Sequence, residues 1–267
     1  MDGQNAQDSL VVTRWLQAWG LATLISVAIS AEASAQEVWN DWSGPYVGLS
    51  FGAFRSTGEA ERAGYSGSLL TLDVENGLFP NSIDGSKESL TGGIGLGINR
   101  QHGAFVSGVE IDISGLDHAQ ELKFSRVDPN PLPPFNGIDT NTAYRTEFGT
   151  LATLRARGGY AVGRNLYFAT AGLAAGRVRN TFSLDLPDLG YSSPGWSNKS
   201  TRVGYVAGLG MERRMTEHLN LKAEVLYVDL ADERIKGTDS VAFPGEQIDY
   251  KFKNEAVIAR VGINFTF

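Results

Sequence analysis

Charged residues recur two positions apart in this chain. Glu110 with Asp112, Arg155 with Arg157, and Lys222 with Glu224 each form an i, i+2 pair, and Arg202, Glu212 and Arg260 stand singly. Successive side chains of an extended strand point to opposite faces, so each pair occupies one face. The intervening positions are apolar: Val109, Ile111 and Ile113; Leu154 and Ala156; Leu221, Ala223 and Val225. Four acids and five bases on one surface of a closed sheet have two uses. They can neutralise one another as an ion network that fills the interior, or they can line a narrow path for ions. A barrel of eight strands leaves an interior just wide enough for side chains, which favours the filled interior.

Other residues with chemical potential lack the setting of a site. The chain has no cysteine, which excludes a disulfide framework, a thiolate metal site and a cysteine nucleophile. His102, His118 and His218 read as lying in a turn, a long loop and another turn, with no two at ligand spacing on one element. No metal and no cofactor is therefore expected, although His118 alone could offer an axial ligand to a haem. Ser114, Asp117 and His118 sit together where a strand would emerge, but triad members normally come from separate elements, and solvated loop residues explain them better. The run Gly92-Gly93-Ile94-Gly95-Leu96-Gly97 precedes neither Lys-Ser/Thr nor a helix, so it reads as small residues facing a crowded interior. No catalytic residue is expected, and the chain reads as a non-enzyme.

The elements that position these charges are strands. Eight alternating stretches cover about Tyr46–Phe54, Leu90–Asn99, Ala104–Ser114, Glu147–Tyr160, Leu166–Val178, Thr201–Arg213, Leu219–Asp229 and Glu255–Phe267. The connections after the second, fourth and sixth are short, and the others run to about 20–35 residues. The long ones hold turn formers such as Asp128-Pro129-Asn130-Pro131, and Ser68–Val74 could extend a hairpin within one of them. Short turns on one rim and long loops on the other predict an all-β fold, an eight-stranded antiparallel transmembrane β-barrel with four long extracellular loops and short periplasmic turns. Aromatics near the strand ends, Tyr160, Tyr167, Tyr227 and Phe267, are candidates for interfacial girdles.

Alternation alone also fits a soluble barrel turned inside out, with an apolar lumen and charges in water. The glycines decide between the two. Gly48, Gly52, Gly93, Gly95, Gly97, Gly208 and Gly210 share the charged face, and small residues belong where the wall closes on itself. The apolar face then looks into lipid. The last strand ends the chain on Phe265-Thr266-Phe267, the aromatic ending by which outer-membrane barrels commonly present themselves to their assembly machinery.

Residues 1–35 have the outline of a secretory signal peptide: Arg14, an apolar run from about Leu16 to Ile29, and Ala33-Ser34-Ala35 before Gln36. Residues 36–45 read as an N-terminal periplasmic segment and 46–267 as the barrel. Removing Arg14 with Asp2, Asp8 and Glu32 turns 23 bases and 30 acids into 22 and 27. A negative chain is not built to grip nucleic acid. Its expected partners are outer-membrane lipid and lipopolysaccharide, the barrel assembly machinery, and a host or surface ligand reached through the loops.

Several runs carry a family resemblance. They are Trp42-Ser43-Gly44-Pro45-Tyr46-Val47-Gly48-Leu49, Gly108-Val109-Glu110-Ile111-Asp112, Leu154-Arg155-Ala156-Arg157-Gly158-Gly159-Tyr160-Ala161, Leu221-Lys222-Ala223-Glu224-Val225-Leu226-Tyr227-Val228-Asp229-Leu230 and the closing Arg260-Val261-Gly262-Ile263-Asn264-Phe265-Thr266-Phe267. In this order they resemble the small outer-membrane β-barrels of alphaproteobacteria, the outer-membrane immunogenic or porin family, whose architecture is related to OmpA-type barrels. The resemblance implies an abundant surface or envelope-stabilising protein of the cell outer membrane without a catalytic site. Within the family it implies a range that takes in antigens, porin-like proteins and haem binders. Pro45, where the family usually has an aromatic, and the long loops depart from the pattern.

Overall fold

The computed structural model describes residues 41–128, 137–239 and 243–267. The expected signal peptide and most of the expected periplasmic segment lie outside the described residues. Eight long strands form the wall: β1 Gly44–Ser66, β2 Ser82–His102, β3 Phe105–Val127, β4 Asp139–Val162, β5 Asn165–Leu186, β6 Trp196–Arg214, β7 Leu219–Asp239 and β8 Phe243–Thr266. Every neighbouring pair is antiparallel, and β8 pairs with β1 from Thr266 opposite Tyr46 to Gln247 opposite Ser66, which closes the sheet into a ring without an edge.

The turns on the periplasmic rim are tight. Gly103 and Gly163, at φ of 61° and 56°, supply the left-handed backbone that the β2–β3 and β4–β5 turns require. The outer rim differs from expectation. Strands predicted to end near Phe54, Ser114 and Val178 continue to Ser66, Val127 and Leu186, so most of the residues assigned to long loops are wall. Segment Ser68–Glu75 is not a hairpin extension but a short helix, α1. Leu70 and Val74, one turn apart, bury together. Glu246 at the start of β8 accepts the Leu70 amide at 3.0 Å and the Leu69 amide at 3.4 Å. This distant carboxylate satisfies free N–H groups at the helix start, a determinant no local pattern carries.

The outward face is apolar over a limited height. On β5 it runs Tyr167, Ala169, Ala171, Leu173 and Ala175 before Arg177. The ten steps from Tyr167 to Arg177 span ~33 Å along the strand, which at a tilt of roughly 40° gives ~25 Å, the height of an outer-membrane apolar band. Tyr160 opposite Tyr167, with Phe105, Phe265 and Phe267, marks its lower edge. Tyr205 and Tyr227, 6.2 Å apart, stand near the upper edge.

The lumen is filled in tiers. Trp42, Val106, Leu166 and Phe168 close the periplasmic end. A charged belt follows, then an apolar layer around Phe54, Phe148, Leu226 and Ile258. Above a polar tier lies an outer apolar core that includes Tyr144, Phe182, Tyr250 and Phe252, with α1 packed on it.

Candidate functional site: the charged belt of the lumen

Tight approach of the strand walls comes first. A Cβ on Gly97 would fall 2.3 Å from the Tyr46 ring, so only glycine lets that phenol lie across the lumen. Tyr46 then donates to Glu110 Oε2 at 2.5 Å and accepts from Arg157 Nη1 at 3.0 Å.

Eight of the nine predicted charges meet at this level: Glu110 and Asp112 from β3, Arg155 and Arg157 from β4, Glu212 from β6, Lys222 and Glu224 from β7, and Arg260 from β8. Arg155, 1% exposed, is their hub. Its Nη1 donates to Glu224 Oε2 at 3.0 Å, and its Nη2 to Asp112 Oδ2 at 2.7 Å and to Glu110. Arg260 donates from Nε to Glu224 Oε1 at 2.7 Å and from Nη2 to Asp112 Oδ2 at 3.1 Å. Lys222 Nζ joins Glu110 at 2.8 Å and Glu224 at 3.0 Å. Arg157 pairs with Glu212 at 2.7 Å and lies 4.0 Å over the Phe168 ring. Thr153 donates to Asp112 at 2.6 Å, and Asn264 to Glu212 at 3.0 Å. Only Arg155 Nε and Arg157 Nε in the belt lack an acceptor.

Arg202 is the correction. It faces the lumen but stands in the polar tier above, ion-paired with Glu233 and donating to Ser200 Oγ at 2.8 Å. Its departure leaves four acids and four bases in the belt, a neutral set. Glu233, buried at 1% exposure, also accepts from Asn180 at 3.0 Å and Asn198 at 2.5 Å. The sequence reading missed this acid because β7 carries an irregularity between Leu230 and Glu233 that moves the inward positions from even to odd numbers. Trp42 was missed as well, for it precedes the first strand. It lies under the Arg214 guanidinium at 4.6 Å, and its amide donates to Gln101 Oε1 at 2.7 Å.

His118 is not in a loop. It stands on β3, buried, with Nε2 2.6 Å from Ser56 Oγ and its ring 5.1 Å from Phe54. Ser114 is engaged elsewhere, donating to Asp112 at 3.3 Å and accepting from Arg260 at 3.2 Å. The Ser114–Asp117–His118 triad weighed from the sequence is thus without its Ser114–His118 contact, and the Asp117 side chain lies outside what the structure describes. Phe265 and Phe267 lie on the outward face at the lower rim, with rings 5.4 Å apart, and the Phe267 amide donates to Pro45 O at 3.2 Å.

A void beside the belt, bounded by Tyr46, Gly48, Glu110, Asp112, Lys222 and Arg260, measures about 10 Å³, room for about one water. Among the described residues no group of three or more His, Cys, Asp or Glu is arranged to hold a metal ion.

Comparison with known proteins agrees with this architecture. The chain is similar to the 31 kDa outer-membrane immunogenic proteins of Brucella melitensis and Brucella suis, each 28% identical over 246 residues and covering 89% of both chains. Among solved structures it is similar to the outer membrane protein OprG from Pseudomonas aeruginosa, with a TM-score of 0.45 and 13% identity over 86% of this chain and 99% of that one. Neisserial surface protein A gives a TM-score of 0.38 and 15% identity over 84% and 98%. Residues 21–265 match the family described as outer membrane protein beta-barrel domain; the chain belongs to that family, and its place is the cell outer membrane.

Proposed function

We propose that this barrel is a non-conducting outer-membrane protein with a structural and surface-interacting role, its lumen closed by the charged belt. The observation that carries the reading is the mutual pairing of eight buried charges, with a void of only about 10 Å³ beside them. An ion path requires charges that face water and exchange partners. Here each carboxylate is held by at least one cation, and removing one member of such a set typically costs about 3–5 kcal/mol. The reading includes no catalytic group: Ser56 and His118 do pair, but both are buried in the lumen with the Ser56 hydroxyl donated to Gln120 Oε1 at 2.8 Å, and Ser114 donates to Asp112.

The word immunogenic in the names of the Brucella relatives supports display of the outer rim at the cell surface. A host or surface ligand would be met there. Phe265 and Phe267 serve as the signal read by the barrel assembly machinery, and the negative net charge leaves nucleic acid outside the range of partners.

Refolding the chain into planar bilayers and recording current tests the closed lumen. Baseline traces with no unitary steps are expected at moderate voltages. Steady single-channel steps would overturn the closure and put a narrow porin in its place.

A further inference from the structure

On the outward face of β4, β5 and β6 the apolar band ends in a row of Ala152, Ala175 and Val203, aligned by strand pairing. The next outward row sets Arg177 opposite Thr201. The following row holds Glu147, Arg179 and Lys199 side by side, and above it Arg145 stands opposite Thr181. All four bases are exposed. The one acid among them, Glu147, bonds Arg145 at 2.7 Å and lies 3.8 Å from Arg179. No ion pair among the described residues engages Arg177 or Lys199, so the shelf keeps a surplus of three positive charges.

The wall on the other side is different at this height. Lys253 is held by Glu59 at 2.9 Å and Glu61 at 3.0 Å, and Lys251 by Asp232 at 2.7 Å, with Asp229 and Glu255 alongside. The positive excess is therefore confined to one sector, above the upper limit of the lipid-facing rows.

A cationic shelf on top of an apolar wall complements a lipid whose chains lie along the wall and whose headgroup carries phosphate. Guanidinium forks grip phosphate oxygens in two parallel hydrogen bonds. We infer that the β4–β6 face binds the phosphorylated headgroup of an outer-leaflet glycolipid, lipopolysaccharide, with Arg177, Arg179 and Lys199 on its phosphates and the Ala152–Ala175–Val203 row beside its acyl chains. The inference rests on the outer-membrane location and is independent of whether the lumen conducts.

The test compares three proteins extracted from outer membranes in mild detergent: wild type, the triple variant Arg177→Gln/Arg179→Gln/Lys199→Gln, and a far-wall control, Lys251→Gln/Lys253→Gln. Folding is verified by heat-dependent gel migration, and lipopolysaccharide retained per barrel is read by native mass spectrometry. Three lost cations near a membrane surface are worth at least about tenfold in retention, and the control is expected to match wild type. Arg177→Lys/Arg179→Lys keeps the charge and is expected to keep most of the lipid. Wild type refolded into vesicles is expected to bind phosphorylated glycolipid and not its dephosphorylated form, with no displacement by millimolar inorganic phosphate. Equal retention by wild type and the triple variant, an equal loss in the control, or indifference to the lipid's phosphates would overturn the assignment. Displacement by inorganic phosphate would also overturn it, in favour of an unspecific anion site.

Discussion

The lower and upper halves of this barrel obey opposite rules. In the membrane the outward face is Leu49, Phe51 and Ala53 on β1, and the lumen holds ions. A few residues further along the same strand the outward face becomes Arg55, Thr57, Glu59 and Glu61, while Phe54 and Ala60 point inward to an apolar core. On β8 the inward series likewise changes from Asn264 and Arg260 to Ile258, Phe252, Tyr250 and Ile248. The wall is continuous and its strand pairing barely changes; the solvent does. Where the outside is hydrocarbon, polar groups must be enclosed. Where the outside is water, the apolar groups are enclosed and the protein is built as an ordinary soluble barrel. The inverted arrangement weighed as an alternative for the whole chain is thus present, in the outer half.

The largest test of this contrast is Arg155→Met. Glu110, Asp112 and Glu224 each lose a partner, and the barrel is expected to lose about 3–5 kcal/mol in urea unfolding from lipid. Adding Glu224→Gln is expected to cost less than the sum of the two single changes, because it removes one of the stranded charges. In the outer half Phe182→Ala is expected to cost a similar ~3–5 kcal/mol by opening a cavity, with no such rescue. Next in size is the outward face. Leu209→Arg places a charge in lipid at a side chain now 69% exposed and is expected to cost ~2–4 kcal/mol. Ser125→Arg, outward on β3 above the band, is expected to stay within about 0.5 kcal/mol. Equal costs at the two sites would erase the boundary between the halves.

The same boundary set what could be read from the sequence. Within the band the alternation has one phase, and Glu110, Asp112, Arg155, Arg157, Glu212, Lys222, Glu224 and Arg260 fall on its inner face without knowledge of any contact. At Phe54 on β1 and Val178 on β5 the apolar residues move to the inner face, and a reader following one phase sees the pattern fail and assigns a loop. Irregularities at Phe148/Leu151 on β4 and Leu230/Glu233 on β7 add a parity change, which concealed Glu233 and left Arg202 attached to the wrong cluster. His118 was placed outside because apolar Leu116 turns inward on β3, which ended the alternation read from the sequence at Ser114, although the inward positions stay even. Trp42 and α1 were illegible for another: each is fixed by a partner remote in sequence, Arg214 in one case and Glu246 in the other.

The outer half is also the less tightly filled. Beneath α1 a cavity of about 70 Å³ opens among Leu70, Phe79, Phe182, Leu186 and Ile248, against about 10 Å³ beside the belt. Glu246→Ala removes the carboxylate from the start of α1 and is expected to cost about 1 kcal/mol locally, read as faster proteolysis within residues 67–81 with the barrel still folded.

A pH-dependent effect is expected at Asp73, on the helix above this cavity. Burial, reinforced by the negative charges of Asp128 and Glu246, pushes its carboxyl from 3.8 up to about 6. The docked helix therefore holds the proton more tightly than the undocked one does. Docking is strongest below about pH 4, weakens as pH rises from about 4 to 6, and stays weaker at neutral pH, where the charge must be accommodated. Asp73→Asn cannot ionise and loses this dependence. Amide exchange at Leu72, Asp73 and Val74, corrected for intrinsic rates, is expected to show wild-type protection declining across that window and a flat profile in the variant. Matching profiles would assign the pH response to another group. A decline that extends to the Leu226 and Ile258 layer would mean that the two halves open together, and the division at the membrane boundary would then be one of solvent alone and not of stability.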